Sequence, residues 1–330
     1  MKIMKGTVLA GSNNLFTLEC EDGMERNCTI KGKVLKASKD FYNPLAPGDV
    51  VEFEPDELDS KKGQILDLVD RKNTFLRWNV KGRCPQLLAS NLDFLVLVTT
   101  PDCPPFRPRF IDRALAQAEH QGITPVIVCN KYDLAEEMQK DGEPLYEEIE
   151  HRLSIWENLG YKVLRISAKS GEGMTDFADF LENKTCAFVG QSGVGKSSLV
   201  NVLDDTCVLK TGSLSKKYGR GAHTTTKGTL LRLQLNESLT GGVKGKVASI
   251  IDTPGIRRFI LDDVEPCDVA FYFREIAPYI GKCEFGMSCR HDTEPGCAVK
   301  EALENGQITE ERFDSWNRIR NELETGKWED

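Results

Sequence analysis

Gly190-Gln191-Ser192-Gly193-Val194-Gly195-Lys196-Ser197 satisfies the pattern G-x-x-x-x-G-K-[ST]. The apolar run Cys186-Ala187-Phe188-Val189 precedes it and the helix-like Ser198-Leu199-Val200-Asn201 follows, which is the strand, loop and helix context that the pattern requires. Glycines at these positions let backbone N–H groups wrap a phosphate at a helix N-terminus. Lys196 would reach the β and γ phosphates, with the Ser197 hydroxyl on Mg²⁺. Asn130-Lys131-Tyr132-Asp133, in the form N-K-x-D, ends a second apolar run, Val126 to Cys129. Guanine presents N1–H and its 2-amino group as donors, and an ionised Asp133 only accepts, so the two match. Adenine would set its N1 lone pair against the carboxylate and leave a buried charge unpaired. Ser167-Ala168-Lys169, after Val163 to Ile166, suits a loop that backs the base. Asp252-Thr253-Pro254-Gly255 follows Val247 to Ile251. Asp252 is the expected second carboxylate near Mg²⁺, and the Gly255 backbone can approach the γ-phosphate.

Together these motifs imply a chain that binds GTP or GDP with Mg²⁺ and hydrolyses GTP. A phosphate-loop kinase is disfavoured by the guanine reader. Their order is permuted: Ras-like GTPases begin with the phosphate loop, whereas here 130–133 and 167–169 precede 190–197 and 252–255. Gly219-Arg220-Gly221-Ala222-His223-Thr224-Thr225-Thr226 has the look of a first switch segment. One of its threonines should cap Mg²⁺ when a γ-phosphate is present; spacing does not say which, and Thr225, the middle one, stands for the group. Ile256 occupies the place of the water-orienting glutamine and cannot do that task. His223 is the resident candidate, because imidazole can accept a proton or position water near neutral pH. The alternative is a partner that completes the site.

A second constellation lies near the C-terminus. Cys283, Cys289, His291 and Cys297 give C-x5-C-x-H-x5-C, the ligand set of a closed tetrahedral zinc site, one ion per chain. Thiolates favour zinc over Mg²⁺ or Ca²⁺. Cys267 is a rival ligand, while His120 and His151 read as surface or packing residues. Lys210, Lys216, Lys217, Arg220, Lys227 and Arg232 fall in 206–236, which contains no Asp or Glu. In a chain of net charge -8 this segment is either a contact for a phosphate backbone or a loop facing the nucleotide.

The elements that must position these residues follow from periodicity. Residues 1–72 hold five short strand-like runs, a small antiparallel barrel of OB-like or SH3-like type. From about residue 91, strands 94–99, 125–129, 162–167 and 185–189 alternate with helices 108–120, 144–158 and 173–183. That alternation predicts a parallel sheet covered on both faces. Strands near 231–235 and 247–251 should form a hairpin at its edge. Residues 263–330 read as short helices around the cysteines, ending in a charged helix, 308–323. The domains are therefore 1–72, 73–262 and 263–330. The 330 residues exceed one ordinary core, and no apolar run approaches the ~20 residues of a membrane span. No run of signal-peptide length follows the N-terminus, and eleven cysteines are an odd number, so a cytoplasmic chain with free or metal-bound thiols is expected. A monomer in solution is also expected.

The permuted order, the N-terminal barrel, the segment from Gly219 to Thr226 and the cysteine cluster resemble the RsgA/YjeQ family of GTPases dependent on the small ribosomal subunit. Gln86 to Asp93 and Glu294 to Val299 also resemble that family, and the similarity runs nearly end to end. The resemblance implies an OB barrel, a circularly permuted P-loop α/β GTPase domain and a helical zinc-binding domain. It also implies late maturation of the small ribosomal subunit, contact with its rRNA and hydrolysis stimulated by that subunit. It carries nucleotide binding to Asn130–Asp133 and Gly190–Ser198, and zinc binding to Cys283, Cys289, His291 and Cys297. Five residues separate Cys283 from Cys289, where the family usually has four.

With Ile256 in place of glutamine, free protein should turn GTP over slowly, and docking of the 206–236 segment should order the switch. His223→Ala is expected to reduce partner-stimulated turnover far more than GTP affinity, and stimulation should fall steeply as salt is raised while intrinsic turnover does not. Full stimulation of His223→Ala would assign the chemistry to the partner, and salt-insensitive stimulation would remove the basic segment as the docking surface.

Overall fold

The computed structural model describes residues 3–32, 41–79, 83–207, 228–253, 259, 261 and 263–326. Five strands open the chain: β1 (Met4–Ser12), β2 (Leu15–Cys20), β3 (Glu25–Ile30), β4 (Val50–Pro55) and β5 (Lys62–Leu68). Each alternates buried and exposed positions, so one face of every strand points inward. They close in the order β1-β2-β3-β5-β4, with β3 and β5 parallel and β4 returning to β1. Val8, Phe16, Leu18, Cys28, Val51, Phe53 and Ile65 fill the lumen. The expected barrel is present, in OB-like form.

A hairpin comes next that the hydrophobic pattern did not disclose, β6 (Thr74–Asn79) and β7 (Cys84–Ser90). It leads into the next domain through an amide clasp. Asn73 donates through Nδ2 to the carbonyl of Leu92 at 2.9 Å and accepts from that residue's N–H through Oδ1 at 2.9 Å. Asn91 donates to the Gly48 carbonyl of the barrel at 2.8 Å.

The central sheet comprises β8 (Phe94–Thr99), β9 (Pro125–Cys129), β10 (Lys162–Arg165), β11 (Thr185–Val189), β12 (Thr229–Gln234) and β13 (Val247–Asp252). Its order is β10-β9-β8-β11-β13-β12. All pairs are parallel except β12 with β13, the edge hairpin expected from sequence. On one face Leu95, Leu97 and Ile127 pack with α1 (Pro108–His120) and α3 (Pro144–Asn158). On the other, Val96, Val98 and Val126 pack with α4 (Met174–Leu181) and α5 (Lys196–Leu203). The period of two along each strand thus serves two helical layers, which is why the strands read as continuous apolar runs. A further short helix, α2 (Asp133–Asp141), begins on the last residue of the N-K-x-D motif. It buries only Ala135 and so leaves no apolar stripe in the sequence.

Arg232 lies in β12, where its guanidinium donates to Glu19 of the barrel at 2.8 Å and to Ser249. Of the basic segment's six charges, this one is occupied within the fold. The other five lie outside the described residues.

The C-terminal region contains 3-10 turns from Pro266 to Tyr272, then α6 (Ala298–Glu304) and α7 (Glu310–Thr325). Its attachment to the central domain centres on Asp112 of α1, which is fully buried. Oδ1 accepts from Arg312 Nη1 at 2.8 Å and Trp156 Nε1 at 2.7 Å; Oδ2 accepts from Arg152 Nη2 and Ser315 Oγ, both at 2.6 Å. Burial alone would raise this carboxyl's pKa, but Arg312 and Arg152 hold it below the usual range. Arg312 is also paired with buried Glu275 at 2.6 Å. Asp112→Ala would leave two buried guanidinium groups short of their counter-charge, a loss of about 3–5 kcal/mol. The expected outcome is a lower urea midpoint for release of the C-terminal region, followed by limited proteolysis; an unchanged midpoint would show that the junction is held by its other contacts, the Arg113–Glu322 and Arg274–Glu119 pairs among them.

Candidate nucleotide and metal sites

Three loops and the end of β13 meet at the carboxyl edge of the sheet, where parallel α/β folds place ligands. The loop 190–195 leaves β11 and turns into α5 at Lys196. A side chain at Gly190 would meet the Val98 carbonyl oxygen at 2.3 Å, and one at Gly195, whose φ is +94°, would meet Asn130 Nδ2 at 2.3 Å. Both glycines are therefore required by close approach, the second also by its left-handed backbone. Lys196 donates through Nζ to the carbonyls of Gly190 at 2.7 Å and Gln191 at 2.9 Å, so the ammonium is folded back over the loop. Burial pulls the Lys196 pKa down, opposed by Asp252. Burial pushes the Asp252 carboxyl up to about 7, with Lys196 acting in the opposite direction. Burial thus disfavours the charged form of both groups, and each opposes that shift in the other. Thr253 Oγ1 donates to the Phe188 carbonyl at 3.0 Å and ties the end of β13 to β11.

Asn130 is buried at the end of β9 and does not point into a base pocket. Its Nδ2 donates to the Val194 carbonyl of the phosphate loop at 2.8 Å, and its Oδ1 accepts from the Ala168 N–H at 3.1 Å. One amide therefore joins three of the sequence motifs. Asp133 is held by Ser167, which donates to Oδ1 at 2.7 Å, with Lys169 Nζ at 3.5 Å from Oδ2. Lys131 takes a left-handed φ of +59° between them. Tyr132, the variable position of the motif, donates from its backbone to the Ile166 carbonyl at 3.0 Å and from its hydroxyl to Glu150 at 2.6 Å. Nothing in the sequence signals that last contact. The expected residues of the base and phosphate loops thus come together, whereas His223, Thr225 and Gly255 lie outside the described residues.

Cys283, Cys289, His291 and Cys297 are all buried and their ligand atoms lie within 4.8 Å of one another. Cys283 Sγ is 3.9 Å from Cys297 Sγ, and His291 Nδ1 is 3.5 Å from Cys283 Sγ and 3.3 Å from Cys297 Sγ. A tetrahedral zinc with ordinary bond lengths needs edges of about 3.8 Å between sulfurs and about 3.5 Å between sulfur and nitrogen. The residues fit. Burial pushes the Cys289 thiol up to about 12, and a bound cation would favour its thiolate. Glu294 braces the loop by accepting backbone N–H bonds from Arg290, Asp292 and Thr293 at 3.0, 2.8 and 3.1 Å, which draws its carboxyl down to about 2. Trp316 of α7 backs His291, with ring centroids 5.8 Å apart. The longer spacing after Cys283 is absorbed by a 3-10 turn at Gly286–Ser288. Cys267 is exposed, with its thiol 3.7 Å from Asp268, and is not in the cluster. His120 and His151 pair with Asp263 and Glu311 at 3.0 and 2.9 Å, as packing and surface residues do.

Metal analysis of purified protein is expected to find about one zinc per chain. Structural sites of this kind contribute about 10–16 kcal/mol of apparent binding energy in small peptides, so chelation should open mainly the region after residue 265 to hydrogen exchange. Metal-free protein with a protected C-terminal region would overturn this.

Residues 68–262 match the family model described as RsgA GTPase. The small ribosomal subunit biogenesis GTPase RsgA of Flavobacterium psychrophilum is 37% identical over 318 residues, covering 96% of this chain and 92% of that protein. The protein of the same name from Borreliella burgdorferi strain ZS7 is 35% identical over 330 residues, with 99% of each chain covered. Among solved structures, YjeQ from Thermotoga maritima superposes with a TM-score of 0.73 at 30% identity, covering 99% of this chain and 100% of that one. YloQ, described as a circularly permuted GTPase, gives a TM-score of 0.69 at 25% identity, with 100% and 98% covered. With its motifs in permuted order on this sheet, its barrel in front and its cysteine cluster behind, the chain belongs to the RsgA GTPase family.

Proposed function

We propose that this chain hydrolyses GTP during late maturation of the small ribosomal subunit, docked on the subunit's rRNA and stimulated by it. The observation that carries the reading is the Asn130 amide, which fastens the base-reading and phosphate loops into one unit. The names of the relatives support the partner. In this reading Asp133 accepts from guanine N1–H and the 2-amino group, with Ser167, Ala168 and Lys169 forming the wall beside it. Gly190, Gln191, Ser192, Gly193, Val194 and Gly195 wrap the phosphates, Lys196 exchanges its loop carbonyls for phosphate oxygens, and Ser198 continues the helix N-terminus toward them. Ser197, Asp252 and a switch threonine such as Thr225 would hold Mg²⁺, which neutralises charge on the β and γ phosphates. Gly255 would offer its backbone to the γ-phosphate, and His223 or a ribosomal group would position the water.

Cys283, Cys289, His291 and Cys297 hold one structural zinc. Their four ligand positions leave no place for a catalytic water. The domain limits 1–72, 73–262 and 263–330 are supported by the gap between β5 and β6 and by the reach of the family match. No helix among the described residues is long and apolar enough to cross a membrane. The relatives' names, with their ribosomal role, support the assignment of the chain to the cytoplasm, and we assign it there as a monomer.

GTP turnover of purified protein with and without small ribosomal subunits tests this reading. Stimulation toward the ~10³ to 10⁵ gain typical of partner-completed GTPases is expected. Equal, slow turnover in both conditions would leave a nucleotide-gated RNA or protein-binding module whose hydrolysis is vestigial.

A further inference from the structure

Glu150 lies in the middle of α3, outside every sequence motif, and yet both base-side loops hang on its carboxylate. Oε1 accepts from the Tyr132 hydroxyl at 2.6 Å. Arg165, the last residue of β10, donates through Nε to both oxygens at 3.2 Å and through Nη2 to Oε2 at 3.0 Å. Arg165 is also fastened to Glu157, two turns further along α3, at 2.6 Å. Tyr132 immediately precedes Asp133, and Arg165 is two residues before Ser167. The two anchors therefore sit on the chain directly ahead of the two side chains that share the hydrogen bond from Ser167 to Asp133. Between them the Tyr132 N–H donates to the Ile166 carbonyl, so the loops are also stitched backbone to backbone.

The arrangement has a backbone reason. Lys131 is a non-glycine residue at φ +59°, a conformation of higher energy that persists only where its neighbours over-determine it. On its N-terminal side Asn130 is fixed by Val194 and Ala168. On its C-terminal side the backbone and hydroxyl bonds of Tyr132 do the fixing, and the hydroxyl bond is the one made to a charge. Desolvation and Glu150 both drive the Tyr132 pKa up, which keeps the phenol a donor at all physiological pH.

We propose that Glu150 is a positioning residue for guanine recognition, acting through Tyr132 and Arg165 to set the angle of the Asp133 carboxylate. The inference rests on the guanine-reading role given above to Asp133. Loss of the anchor lets the loop relax at Lys131 and swing the carboxylate off the line of the guanine donors. The 2-amino contact is lost first, because one misaligned carboxylate cannot meet two donors at once.

The test compares GDP with IDP, whose base lacks the 2-amino group, by equilibrium binding to Tyr132→Phe, Glu150→Ala, Glu150→Gln and Asp133→Asn. A merely structural lesion weakens both nucleotides alike. Tyr132→Phe, which deletes one oxygen and keeps the ring packing, is expected to shrink the preference for GDP by about threefold to tenfold, the range of one hydrogen bond. Glu150→Ala should do at least as much, and Glu150→Gln, which still accepts from the phenol, should restore part of the preference. In turnover, Tyr132→Phe should raise KM for GTP more than it lowers kcat. Asp133→Asn with the preference lost, beside Tyr132→Phe and Glu150→Ala with it intact, overturns the positioning role alone. Asp133→Asn with the preference intact overturns the guanine reading, and this inference with it.

Discussion

One buried side-chain amide holds the nucleotide site together. Asn130 offers a donor pair and an acceptor, and the structure spends one of each on a different loop: the Val194 carbonyl of the phosphate loop and the Ala168 N–H of the base loop. Both partners are backbone groups, so the amide fixes the paths of the loops and not merely their side chains. An unpaired buried carbonyl or N–H costs about 1–3 kcal/mol, which is how the two loops come to depend on the same residue. Gly195 completes the constraint, because any Cβ there would collide with the amide.

That constraint explains how the motif order can be permuted without disturbing the site. The loops are brought together by strand neighbours in space, β9 beside β8 and β8 beside β11, and then locked by side chains that cross between them. Which loop comes first in the chain does not enter. Permutation does alter the course of the chain beyond β13, since the C-terminal region then continues from the motif Asp252-Thr253-Pro254-Gly255. Its anchorage is Asp112, four donors on one carboxylate, reached from α3 through Arg152 and Trp156 and from α7 through Arg312 and Ser315. The same α3 presents Glu150 to the base loops. One helix of fifteen residues thus bears on the base end of the nucleotide site and on the region of the cysteine cluster at once.

Much of this architecture is legible in the sequence, for a definable reason. Where a feature is set by local pattern, such as the helix at 108–120, the apolar strands ending in motifs or the C-x5-C-x-H-x5-C ligands, the structure matches closely. Where it depends on partners far along the chain, the sequence is silent. Asp112 and Arg312 are 200 residues apart, and neither stands in a motif. The helix at 133–141 escapes notice because one buried alanine makes no stripe, and the hairpin at 74–90 because partly buried residues in β6 blur the period of two. Arg232 reads as part of a free basic segment, whereas β12 sets it opposite Glu19.

The two ends of the nucleotide site differ in how far they are built in advance. At the base end nearly every polar group is already bonded: Asn130 to two loops, Asp133 to Ser167, Tyr132 to Glu150. Such a surface loses little freedom when a base arrives, so its hydrogen bonds can go largely into discrimination. At the phosphate end Lys196 is turned onto the carbonyls of its own loop, and burial pushes the Asp252 carboxyl up to about 7. A phosphate that reached Lys196 would have to displace those two carbonyl bonds. The base end is thus bonded loop to loop, whereas the phosphate end keeps its lysine on bonds that can be exchanged, on the side of the sheet that leads through β13 toward the C-terminal region.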